Sequence, residues 1–109
     1  MLRKPPDGVV FIENKIENEF LFLSEGHIIR KAIERVIANL RENIFYGRNI
    51  PKKQIPKEYI QKYNIDNLWW TPLPDGWRLV YAILTNKEEV IVAIVEFFDH
   101  KNYERRFGY

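Results

Sequence analysis

Cysteine is absent from the chain, which removes disulfide staples, thiolate nucleophiles and cysteine-ligated metals together. Histidine occurs only at His27 and His100, distant in sequence and without clustered carboxylates, so no metal centre is expected. Glycine is sparse and never forms a phosphate-cradling loop, and no Ser-His-Asp arrangement emerges from the spacing. No cofactor is expected. No stretch approaches the ~20 apolar residues that span a bilayer, so no membrane partner is expected. Lys4-Pro5-Pro6-Asp7-Gly8 breaks the opening before any apolar run of secretory-signal length. The expected location is therefore the cytoplasm.

What is present describes one folded domain, residues 1–109. Hydrophobic residues at 46% beside 29% charged are too apolar for a disordered chain. The net charge of +2 permits contact with nucleic acid without demanding it, so the distribution of charge matters more than its total. Richness in Ile, Lys and Glu fits a thermophile as well as an AT-rich coding sequence, and the two readings stay open.

After the Pro5-Pro6-Asp7-Gly8 turn, Val9-Val10-Phe11-Ile12 is β-branched and aromatic and predicts a short first strand. Asn14 or Asn18 then caps a short helix in which Ile16, Phe20 and Leu23 recur at helical spacing. The strongest periodicity follows: Ile29, Ile33, Val36, Ile37, Leu40 and Ile44 form one stripe, with charged residues on the other sides. Ser24 is the expected N-cap, and Gly47 is expected to close the helix in a left-handed conformation. His27, in the first turn, reads as a surface or capping residue. Residues 48–57 are basic and carry Pro51 and Pro56, so Arg48, Lys52 and Lys53 are placed on a loop able to meet phosphates. Pro56 opens a short helix through Tyr63 that Asn64 closes.

The sheet is expected in the last third. Residues 67–73, 77–84 and 90–98 read as three strands joined by Pro74-Asp75-Gly76 and Asn86-Lys87-Glu88, an antiparallel meander. On the middle strand Leu79, Tyr81 and Ile83 share one face, and Arg78, Val80 and Ala82 share the other. The fold class is thus α+β, with a short N-terminal strand and a two-helix hairpin, the helices packing on one face of the meander. Trp69, Trp70 and Trp77 read as core and edge packing rather than base-stacking platforms. The tail closes in Phe107-Gly108-Tyr109, and aromatic residues there are expected to dock instead of fraying.

Two short runs carry a resemblance. Gly76-Trp77-Arg78-Leu79-Val80-Tyr81 is similar to the Gly-Tyr-Arg-Leu-Val-Tyr strand of the RelE/ParE toxin superfamily, and His100-Lys101-x-Tyr103 resembles that family's terminal element. The order strand, two helices, meander is also similar. The resemblance implies a RelE-like toxin of a type II toxin-antitoxin system, a metal-independent messenger-RNA endoribonuclease acting on the ribosome through attack by the RNA 2′-hydroxyl. It implies a cognate antitoxin as partner, with homodimerisation left open.

By this resemblance Arg78, His100, Lys101 and Tyr103 form the catalytic set. Arg78 would clamp the phosphate through its planar fork. His100 would serve as acid or base, Lys101 would add positive charge, and Tyr103 would stack on a base or donate a proton. Arg48, Lys52, Lys53, Arg105 and Arg106 would hold RNA, with Glu96 a lesser candidate. Some ribonuclease members carry two lysines on the strand before the turn, where alternate positions here hold Trp69 and Thr71. A non-catalytic binder on the same fold, acting as ParE does on a protein target, is the other reading.

Overall fold

The protein is described by a computed structural model over residues 3–108. Strand β1 (Gly8–Phe11) leads into α1 (Asn14–Phe22) and α2 (Ile28–Glu42); β2 (Arg48–Asn49) and α3 (Lys57–Tyr63) follow. Strands β3 (Trp69–Pro72), β4 (Arg78–Thr85) and β5 (Val90–Phe98) form the meander, and α4 (His100–Phe107) closes the chain. The sheet order is β1-β5-β4-β3-β2. Strand β1 lies parallel to β5, whereas β2, β3, β4 and β5 pair antiparallel in turn, so the sheet is mixed.

The α1-α2 hairpin packs on one face of the sheet, as its apolar stripe predicts. Ile16, Phe20, Ile29, Ile33, Val36 and Leu40 meet Leu79, Tyr81, Val92 and Ile94 there. The expectation that the helices occupy a single face is corrected on the other side. Ile55, Tyr59 and Ile65, together with Tyr103 of α4, cover Val80, Ala82, Val95 and Phe98. The physical reason is visible in β4 and β5. Val80, Ala82, Ala93 and Val95 are all buried, and a strand apolar on both faces requires a cover on each.

Local ends differ from the sequence pattern in instructive ways. Helix α2 begins at Ile28 rather than near Ser24, because His27 is the N-cap and its Nδ1 accepts the Ile29 N–H at 3.1 Å. That is the capping role read for His27. The helix ends at Glu42, with extended Asn43 as C-cap, so Gly47 is no left-handed cap. The described positive-φ residues are Asn64, Asp75, Gly76 and Gly108. Gly47 is needed for a close approach instead. A Cβ there would stand 2.7 Å from the Trp70 carbonyl oxygen and 2.9 Å from Tyr81 ring and hydroxyl atoms. Asn64 does close α3 in the left-handed conformation, and Pro56 stands just outside that helix as its N-cap. Phe107 packs edge-on against Tyr59 and Phe98, as the docking expectation requires, while Tyr109 lies outside the described residues.

Tyr81 links the two halves of the hairpin face. Its fully buried hydroxyl donates to the Ile44 carbonyl at 2.9 Å and accepts the Gly47 N–H at 2.8 Å. Burial pushes its phenol up to about 12. An unfolded tyrosine ionises near pH ~10, so the folded chain holds this proton more tightly than the unfolded one. The stabilisation is complete below about pH 10 and is lost as pH rises toward about 12. Urea denaturation from pH 9 to pH 12 is therefore expected to show an alkaline decline that is shallower in Tyr81→Phe, by on the order of 2 kcal/mol across the window. Equal declines in both proteins would refute the assignment.

Candidate nucleic-acid interface

The sheet's second face brings side chains from three adjacent strands to one place. Arg48 on β2 sits opposite Trp70 on β3, and Trp70 sits opposite Val80, two residues from Arg78 at the start of β4. Directly opposed and alternate residues share a face, so Arg48, Trp70 and Arg78 line up across the strands. The Arg78 guanidinium carbon lies 4.3 Å from the Trp70 ring centroid and 4.5 Å from that of Tyr103. Arg48 approaches the same indole at 5.3 Å. These are cation–π distances.

Among the described residues, neither Arg48 nor Arg78 forms an ion pair. Arg78 Nε is buried without a hydrogen-bond partner, while the residue as a whole is half-buried. An arginine whose charge meets only aromatic faces retains donors for an anion.

Tyr103 is 6% exposed, with its ring stacked on Phe107 at a 4.6 Å centroid distance and edge-on to Phe98. It forms one wall of the Arg78 site. His100 is the first residue of α4, exposed, with Nε2 2.7 Å from Glu104 Oε1 one turn later. Lys101 is exposed on the same turn, which Asp99 caps by accepting the Asn102 N–H at 3.0 Å. Lys52 and Lys53 are exposed on a short 3-10 turn, Lys52–Gln54, and Arg105 is exposed on α4. The structure thus gathers Arg48, Arg78 and Tyr103 around Trp70. It pairs His100 with Glu104 instead.

Arg106 is held in an ion pair with Glu96. Its Nε and Nη2 reach the two oxygens of Glu96 at 3.0 and 2.6 Å, and the Tyr59 hydroxyl donates to the same carboxylate. Burial and the Glu96 carboxylate push the Tyr59 phenol well above its usual range, and the bond to Glu96 raises Arg106 further. These three residues fasten α4 and α3 to β5. Glu96 is the anchor of that network.

Trp70 is the member that the sequence reading did not single out. All three tryptophans pack as expected, Trp69 on Tyr81 and Trp77 on Phe97 against the hairpin-side core and Trp70 against the second-face core, and Trp70 also meets the arginines. The period-two alternation of β3 carried that signal. It also shows that Trp69 and buried Thr71 face away from Arg78. Trp70 and Pro72 are the β3 residues on the Arg78 face.

A separate cleft of about 1030 Å³ opens between α1, the end of β5 and α4, lined by Lys15, Phe22, Trp77, Phe97 and Asp99 among others. Its lining includes none of Arg48, Trp70, Arg78 or Tyr103, so this cleft and the arginine site are different places. Among the described residues no three His, Asp or Glu side chains gather as a metal site, and no helix is long and apolar enough to cross a membrane. No protein-family model matches the chain, and no curated protein or solved structure is significantly similar to it.

Proposed function

We propose that the chain is a RelE-like toxin that engages messenger RNA on the ribosome and cleaves it without a metal, restrained by a cognate antitoxin. The observation that carries this reading is Arg78. It stands on the strand of the Gly76-Trp77-Arg78-Leu79-Val80-Tyr81 motif, with no ion pair among the described residues and its guanidinium carbon close to the rings of Trp70 and Tyr103. A guanidinium so held is suited to a phosphate whose charge grows in a transition state.

In the proposed reaction the RNA 2′-oxygen attacks the adjacent phosphorus while a base removes its proton. The bond from phosphorus to the 5′-oxygen breaks, an acid protonates that oxygen, and a 2′,3′-cyclic phosphate and a 5′-hydroxyl result. His100 is the group assigned to proton transfer, and Lys101 adds positive charge beside it. The 2.7 Å contact with Glu104 would have to open or rearrange for His100 to meet RNA.

One observation favours a second reading, a non-catalytic binding protein. The β3 residues on the Arg78 face are Trp70 and Pro72, so this strand supplies no ammonium group there. Primer-extension mapping of messenger RNA in a translating extract separates the two. Wild type is expected to produce ribosome-dependent cuts, reduced about 10²-fold or more in Arg78→Ala and in His100→Ala. An absence of cuts with folded protein and active ribosomes would reject the enzyme and leave the binder. Undiminished cutting by both variants would reject the assigned residues.

A further inference from the structure

The indole of Trp70 is shared by two cations drawn from the strands on either side of it. The guanidinium carbons of Arg48 and Arg78 lie 5.3 and 4.3 Å from one ring centroid. They are therefore no more than about 10 Å apart. Like charges this close repel, and among the described residues neither has an ion-pair partner. The quadrupole of the indole offsets part of that repulsion. A bound anion would offset the rest.

Within a nucleic-acid duplex each strand carries one phosphate per ~3.4 Å of axial rise. Successive phosphates of one strand can therefore reach both arginines at once. Arg78 Nε is buried and partnerless, so the remaining amino groups of its fork are the ones available to a ligand.

We propose that Arg48 and Arg78 bind two different phosphates of one single-stranded RNA, and that Trp70 is the positioning residue that fixes both guanidinium groups. This deepens the RNA-directed reading above and rests on it. Trp70 touches no reacting atom. It holds the two charges at a set separation, so its loss weakens binding without removing a charge.

The test uses the purified full chain and a short oligouridylate, with affinity followed by fluorescence anisotropy across a salt series. Arg48→Ala and Arg78→Ala are each expected to reduce the slope of log affinity against log salt by about 0.7, and the double variant by about twice that. Trp70→Leu is expected to weaken binding about tenfold with the slope unchanged, and Trp70→Phe to restore most of the loss. A second readout needs no RNA. The Nε–H resonance of Arg78 should be ring-current shifted and slow to exchange in wild type and in Trp70→Phe, and should move and exchange faster in Trp70→Leu, where Tyr103 is left as the ring beside it.

Wild-type affinity in Trp70→Leu, or an unaltered Arg78 Nε–H signal, would overturn the positioning role. An unchanged slope in Arg48→Ala would overturn the two-phosphate arrangement. No binding by wild type at low salt would overturn the RNA reading itself, an outcome separable from the others because the Arg78 signal still reports the clamp.

Discussion

Gly47→Ala is expected to lower stability by about 3 to 5 kcal/mol, far more than an alanine costs where a glycine has room. The new methyl would meet the Trp70 carbonyl oxygen at 2.7 Å and Tyr81 ring and hydroxyl atoms at 2.9 Å. The carbonyl belongs to a paired strand, and the ring is fully buried. Neither can yield cheaply. Displacing Tyr81 would also break its bonds to the Gly47 N–H and the Ile44 carbonyl. Tyr81→Phe is the control, because it loses those bonds without a clash and should cost only ~1–3 kcal/mol. Chemical denaturation of the two variants decides the matter, and a Gly47→Ala protein as stable as Tyr81→Phe would show that the close approach is easily relieved.

Arg106→Ala is the second large effect, expected at about 2 to 3 kcal/mol after allowing for partial exposure. The Glu96 side chain is 18% exposed and takes two bonds from Arg106 and one from Tyr59. Removing the arginine leaves a mostly buried carboxylate with the phenol as its remaining partner in that network. The double replacement Glu96→Leu/Arg106→Met removes both charges and should be less destabilising than Arg106→Ala alone. If the double variant proves worse, the cost lies in the Tyr59 hydroxyl, which Glu96→Leu leaves without its acceptor.

The candidate site was legible in part. Arg78 could be placed by alternation along β4, and the aromatic tail could be expected to dock, because both depend on local pattern. The surroundings of Arg78 could not. Trp70, Tyr103 and Arg48 come to it from a neighbouring strand, a terminal helix and a two-residue edge strand, and no spacing in the chain records that meeting. Arg106 shows the converse. In the sequence it is one of two adjacent arginines, yet the fold commits it to Glu96 and leaves Arg105 exposed.

The sequence by itself determined the α1-α2 hairpin, the meander and the faces of β4, since helical and strand periodicities report burial over a few residues. It also determined that Asn64 closes α3, a matter of local pattern, while the left-handed conformation there comes from the structure. Only the tertiary structure decided that β1 runs parallel to β5, that α3 and α4 cover the sheet's second face, and that Gly47 serves a close approach rather than a helix end. Each of these depends on atoms tens of residues apart in the chain. Long-range packing sets them, and local propensity carries no term for it.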